Sequence, residues 1–328
     1  MIHGWLNLDK PIGISSAQAV TQIKKIFGIK KAGHLGTLDP LASGVLPIAL
    51  GEATKTIPYL PCNLKAYNFT IKWGEQRTTD DLDGDTIKAS NIKPKCNQID
   101  RAIKNFVGEI TQTPPQFSAI KINGTRAYKL ARSGQKANIK PRLVRIYELK
   151  LVSANTVNNS ADFSMTCGSG VYVRSIARDL GTVLNCFGYI SKLRRTMVGN
   201  FRETESVTIE QLIEKIRFSV SFQYATLESE KKEEWIAVPA TRMTEGGGVT
   251  GSNAKSFVIP IASALESMVK VEISPEDARK IRKGQEIVLN NLRNLKNYDI
   301  FCTIMGNVPV AVCSFTYGCV KPIRVFNI

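Results

Sequence analysis

The segment GHLGTLDPLASGVLPIALG, residues 33–51, restricts this chain more than any other stretch. Gly33, Gly36, Gly44 and Gly51 open backbone conformations that side chains disfavour, while Pro40 and Pro47 each lock one torsion. Between them stands one acid, Asp39, on a constrained turn flanked by apolar runs that read as buried. Two readings compete. Asp-Pro is a common turn dipeptide whose carboxylate caps nearby N–H groups; alternatively, the turn holds a carboxylate for chemistry. No phosphate-cradling GxxxxGK[ST] pattern occurs within the segment. With His3 and His34 the only histidines and no GxSxG elbow, a Ser-His-Asp triad is unsupported. The acidic run DDLDGD, residues 80–85, reads as a solvated turn rather than an acid/base pair.

Charge narrows the field of partners. The 328 residues are 43% hydrophobic, which suits a large domain with a smaller companion, and the net charge is +16. Such an excess is the footprint of a polyanion partner. It is unevenly spread: residues 1–216 hold 30 basic and 17 acidic side chains, whereas 217–257 hold five of each. No apolar run approaches the ~20 residues of a membrane span and no signal-peptide pattern opens the sequence, so a cytoplasmic protein without membrane contact is expected. Seven cysteines, none spaced CxxC, and two histidines complete none of the usual zinc patterns; free thiols and no metal are expected.

Local patterns alternate between strand and helix without a repeating βαβ period, which predicts an α+β fold. WLNLD (5–9) reads as a strand, and KPIGISS as a turn ending in an N-cap serine before the helical AQAVTQIKKIF, stopped by Gly28. AYNFTIKW (66–73) alternates as a strand up to Gly74. QIDRAIKNFVGEI has helical spacing, FSAIKING reads as strand and turn, and RAYKLARSG as a short helix closed by Gly134. RIYELKLVSA and ADFSMTCGSG alternate as a strand pair, and VYVRSIARDLGTVLN returns to helical periodicity. Residues 217–257, polar and charge-balanced, read as a disordered insertion between a domain at 1–216 and a small, mostly β domain at 258–328. In the latter, ISPEDARKIRKGQ supplies an N-cap, a helix and a glycine stop.

Six segments in order resemble one family. AGHLGTLDPLASGVLPIALGEATK (32–55) is similar to the catalytic motif of the TruB family of tRNA pseudouridine synthases, which carry an invariant Asp in a G-x-L-D-P-x-A-x-G loop. LNLDKPIGISS resembles that family's N-terminal motif, KAYNFTIKWG its tyrosine strand and TPPQFSAIKINGTRAYKLAR its middle segment. GVYVRSIARDLG resembles its arginine motif and LRRTMVGNF its leucine motif. The likeness covers residues 5 to about 212, and the ending from about 270 more loosely resembles the PUA RNA-binding module. The stretch 217–257 has no counterpart in compact members.

The resemblance implies a fold and a reaction. The fold is a pseudouridine synthase catalytic domain with a mixed, largely antiparallel sheet, plus a PUA-like C-terminal domain. The reaction isomerises uridine 55 in the T-loop of tRNA on a flipped-out base, without cofactor. Asp39 is then the nucleophile, attacking C1′ or C6 or assisting a glycal route, because a carboxylate is already ionised at neutral pH. Arg174 pairs with it; Tyr67 stacks on the uracil and shuttles a proton; Tyr172 and Leu193 wall the pocket. His34 inserts beside the flipped nucleotides and helps replace what their stack loses. Asp81 aligns with an acidic loop position and receives no role. The glycines of 33–51 let RNA backbone approach. Lys10, Lys31, Arg126, Lys129 and Arg132 contact T-arm phosphates, and Lys280, Arg282 and Lys283 reach toward the acceptor stem. Partners other than tRNA are not implied, and a monomer is expected. An RNA-binding helper and an isomerase of ribosomal RNA are the competing readings.

Overall fold

A computed structural model describes residues 2–122, 124–135, 137–215, 254–289, 296 and 299–328. Its centre is a mixed sheet whose strands run, edge to edge, Gly4–Lys10, Ala42–Leu50, Gly188–Val198, Lys65–Trp73, Ser160–Cys167, Arg142–Asn155 and Gly108–Gln112. The single parallel neighbour pair is Ala42–Leu50 with Gly188–Val198, and every other pairing is antiparallel. Short strands Ala32–His34 and Phe201–Arg202 pair beside this path. The α+β architecture with a largely antiparallel sheet is therefore as expected.

Local chemistry accounts for the elements. Ser15 caps the helix Ser16–Ile26 through a full capping box with Gln18. Leu6 and Leu8 pack against that helix through Ala19 and Ile23, while Trp5 turns to the opposite face and its indole donates to Thr56 Oγ1 at 3.0 Å. Both faces of this short strand are covered, so its polar members are buried too, and Asn7 Nδ2 donates to Arg202 O at 2.8 Å. Across the middle of the sheet, Tyr67, Phe69, Ile71 and Trp73 present one face to helices Cys96–Ile103 and Val173–Val183. Two expectations require correction. The helix expected to continue through Gly108 stops after a 3-10 turn at Phe106, because Gly108 takes φ +99 and Gly108–Gln112 becomes the far edge strand. The strand expected in FSAIKING shrinks to Lys121–Ile122, paired only with Thr125–Arg126.

The second sheet runs Lys270–Glu272, Ile300–Met305, Val308–Thr316, Cys319–Val325, Ile287–Val288, with helix Pro275–Arg282 capped by Ser274. The two sheets share a core. Trp5, Val45, Ala49 and Phe201 pack with Ile261, Leu265, Val312 and Phe326. Trp5 and Ile259 exchange backbone hydrogen bonds of 2.8 and 2.7 Å. Lys55 Nζ donates to Val325 O at 2.7 Å, and Asn327 N donates to Glu52 Oε2 at 2.8 Å. Truncating the fully buried Phe326 should thus weaken both halves together: Phe326→Ala is expected to cost about 3–5 kcal/mol in a single urea transition. Two separated transitions would show that the halves fold independently. Of the expected insertion, residues 217–253 lie outside the described residues, whereas Ala254–Phe257 form a 3-10 turn with Phe257 packed on the first-helix core. Among the described residues no helix is long and apolar enough to cross a membrane.

Candidate active site

Asp39 stands on the short connection between strands Ala32–His34 and Ala42–Leu50, so the constrained segment is mostly strand and only its middle is turn. That turn is stapled from several sides. Ser16 Oγ accepts from Leu38 N at 2.8 Å and donates to Leu38 O at 3.0 Å. Gly13 N donates to Pro40 O at 2.8 Å, and Ala42 N to Asp39 O at 3.0 Å. The sequence singled out Asp39 but not Ser16, whose pairing with Leu38 spans 22 residues and leaves no local signal. Lys10, expected on phosphate, is instead fully buried: its ammonium donates to Pro11 O at 2.8 Å and Ile14 O at 2.7 Å, and burial lowers its pKa to about 8. The cation thus stiffens the loop that precedes the first helix.

Two of the glycines are required by the packing of the fold itself. A Cβ on Gly44, at φ +100, would collide with the Arg195 carbonyl oxygen, and one on Gly36, at φ +78, would lie 3.3 Å from Arg195 Nη1. Both vacancies are filled from within the fold, which gives these two glycines a packing reason in addition to the one expected.

Arg174 opens the helix Val173–Val183 and is only 5% exposed, whereas the Asp39 side chain is 42% exposed. Their ion pair measures 2.9 Å, Nη2 to Oδ2. The guanidinium is fully engaged: Nη1 donates to Thr79 O and Nη2 to Phe117 O, both at 2.9 Å, and Nε lies 3.5 Å from Asp81 Oδ2. One buried fork therefore ties the Asp39 turn, the acidic turn and the root of the 113–141 excursion together. Asp81, assigned no role from the sequence, forms the third corner. It is 6% exposed, accepts from Thr79 Oγ1 at 2.5 Å and Asp83 N at 3.1 Å, and burial pushes its carboxyl above the usual range against the pull of Thr79 and Arg174. The reading of DDLDGD as a solvated turn fails here, because Asp80 and Asp81 turn inward and Asp81 bridges to Ile190 of the central sheet.

Asp39, Leu41, Ala42, Asp81, Arg174 and Leu193 line one narrow cleft, closed at the side by Ile190 to Lys192. Leu193 reaches it because the parallel register sets Leu193 beside Ala42. The other expected site residues are not among those that line this cleft. Tyr67 is 8% exposed in the main core; burial pushes its phenol up, and Arg195 draws it partly back. Tyr172 immediately precedes the Arg174 helix, with N–H and C=O both held by Gln112 and the Arg142 guanidinium 5.0 Å from its ring centre. His34 is half-buried with Nδ1 unpartnered, and burial together with Arg195 holds its pKa below the usual value, so it is neutral at pH 7. Among the described residues no group of His, Cys, Asp or Glu is placed to hold a metal ion.

Residues 24–173 match the model of the TruB family pseudouridylate synthase N-terminal domain, and residues 174–225 match that of the tRNA pseudouridylate synthase B C-terminal domain. The chain belongs to the TruB family. It is 69% identical to tRNA pseudouridine synthase B of Wolbachia pipientis subsp. Culex pipiens, over all of this chain and 99% of that protein. It is 46% identical to the enzyme of the same name from Ehrlichia chaffeensis, over the whole of both chains, so residues 217–257 fall within that alignment. Among solved structures, an H/ACA RNP bound to a substrate RNA containing 2′-deoxyuridine matches 99% of this chain and 85% of that one, with TM-score 0.67 at 23% identity, which establishes the shared fold. The TruB family is one of pseudouridine synthases, and the chain is accordingly an isomerase.

Proposed function

We infer that this TruB-family enzyme converts uridine 55 in the T-loop of tRNA to pseudouridine, with Asp39 as nucleophile. The observation that carries this reading is the half-exposed Asp39 carboxylate held 2.9 Å from buried Arg174 in the cleft that Leu193 walls. In the reaction the C1′–N1 bond breaks, the uracil rotates, C1′–C5 forms, C5 loses its proton and N1 gains one; nothing is oxidised or reduced. The nucleophile needs orientation more than basicity, and an ionised carboxylate clamped by a guanidinium fork supplies it. Attack at C1′, attack at C6 and assistance of a glycal route all use the same presentation.

The remaining residues act around that pair. Asp81 positions Arg174, Leu193 and Tyr172 wall the uracil, and Tyr67 carries the proton lost from C5. Uracil must first leave its stack, at a cost of about a few kcal/mol. Neutral His34 fills the gap that this leaves. The exposed Lys31, Arg126, Lys129 and Arg132 meet T-arm phosphates, and exposed Lys280, Arg282 and Lys283, at the end of the helix Pro275–Arg282 in the PUA-like part, face the acceptor stem. The enzyme works as a monomer with tRNA its sole macromolecular partner. The test is positional: the purified chain, incubated with unmodified tRNA transcript and with ribosomal RNA, is expected to place pseudouridine at the T-loop site alone. Modification confined to ribosomal RNA would overturn the substrate, and RNA binding without any modification would favour a helper protein.

A further inference from the structure

Arg195 is a buried cation to which the mechanism above gives no task. It is 1% exposed, and desolvation disfavours its charge with no carboxylate among the groups that offset it. Burying an unpaired guanidinium is costly, so its acceptors matter. Nε donates to Val45 O and Nη2 to Gly36 O, each at 2.8 Å, and Tyr67, directly across the antiparallel pair and buried on the same side, has its phenol near enough for the guanidinium to favour its ionised form. Gly36 and Val45 bracket Asp39 in sequence. The sheet dictates this placement. Arg195 lies directly opposite Tyr67 in the antiparallel register and beside Gly44 in the parallel one, so its side chain shares a face with Tyr67, and its backbone fills the space a side chain on Gly44 would need. Its neighbour Arg194 points to the other face and pairs with Asp9 at 2.7 Å and with Glu203.

We propose that Arg195 is a positioning residue for the reaction: one buried guanidinium ties both ends of the Asp39 turn to the Tyr67 hydroxyl, holding nucleophile and proton carrier in a single frame. The proposal rests on Asp39 and Tyr67 acting as inferred above. The geometry makes it more than a packing role, since the carbonyls on either side of Asp39 and the phenol are joined through one planar group that a lysine cannot reproduce. The cation also favours loss of the phenol proton, against the opposing effect of burial. The other titratable groups facing this pair are Asp39, Lys10, His34, Lys65 and Cys167.

The experiment uses the full chain and a tRNA transcript tritiated at C5 of its uridines, so that tritium release reports C5–H cleavage in a single turnover. Arg195→Met is expected to bind transcript within about threefold of the parent yet release tritium about 100-fold more slowly, the size of effect that a misplaced reacting group produces. The limb of its rate–pH profile that reports the phenol should move to higher pH. Arg195→Lys keeps charge but not the fork and should lose about tenfold in rate, again with Kd retained. A parental rate in either variant, a loss confined to Kd, or an unmoved profile in Arg195→Met would overturn the proposal. Should Arg195→Met not fold, the rate and Kd of Arg195→Lys decide alone. Asp39→Asn separates this from failure of the underlying reading: if it releases tritium at the parental rate the reading itself falls, whereas an inactive Asp39→Asn beside a fully active Arg195 variant removes only the proposal.

Discussion

Asp39→Asn should abolish pseudouridine formation, by about 10⁴-fold or more, and leave tRNA affinity within a few fold. The substitution is nearly isosteric and keeps an oxygen that can accept from Arg174 Nη2, so the turn held by Ser16, Gly13 and Ala42 has no reason to move. What it removes is the negative charge and with it the proposed nucleophile, whose loss no neighbour can repair: Asp81 lines the same cleft but is 6% exposed and held by Thr79 Oγ1 and Asp83 N. Binding should survive because the side chains proposed to meet phosphates, among them exposed Arg126, Lys129 and Arg132, lie elsewhere. Single-turnover tritium release and filter binding on one preparation check both halves. Substantial turnover by the variant would refute the assignment of Asp39 as nucleophile.

Arg174→Met should be nearly as damaging, and for two reasons that a comparison with Arg174→Lys separates. Methionine strands the buried Asp81 carboxylate and leaves the carbonyls of Thr79 and Phe117 without donors, so a stability loss of about 3–5 kcal/mol accompanies the loss of activity. Lysine restores the charge but has a single nitrogen for four partners lying in different directions, so it is expected to fold and bind tRNA while losing about 100-fold in the chemical step. The Asp39 contact, partly exposed, contributes little to that stability difference because solvent screens it. Chemical denaturation and single-turnover rates measured side by side distinguish the two effects. A lysine variant with parental turnover would show that charge alone, without the fork, suffices to orient Asp39.

Much of this was legible beforehand, for identifiable reasons. The first helix and the Lys65–Trp73 strand follow from short-range rules of capping and alternation, with the serine cap falling on Ser15, one residue before the serine that adjoins the helical pattern. Asp39 and Arg174 were legible because the motifs around them are contiguous and resemble a family. Lys10 misled because a lysine in a basic chain reads as surface, whereas its ammonium is satisfied by two carbonyls of the adjoining turn. Asp81 misled in the opposite sense: an acidic run reads as solvated unless a cation buried far along the chain draws it inward.

By itself the sequence determined the alternation of strands and helices, the basic excess of the first 216 residues and the rigid turn that carries a single acid. What that acid faces, anticipated for Arg174 and Leu193 only through the family resemblance, was decided by the tertiary structure. Strand Gly188–Val198 lies between Ala42–Leu50 and Lys65–Trp73, and this register alone sets Leu193 beside Ala42 and Arg195 between Gly44 and Tyr67. Likewise, Arg174 joins Asp39, Asp81 and the carbonyls of Thr79 and Phe117 across separations of 57 residues and more. Pairings at such distance leave no periodic trace in a chain, because register and burial are properties of the packed sheet rather than of any segment within it.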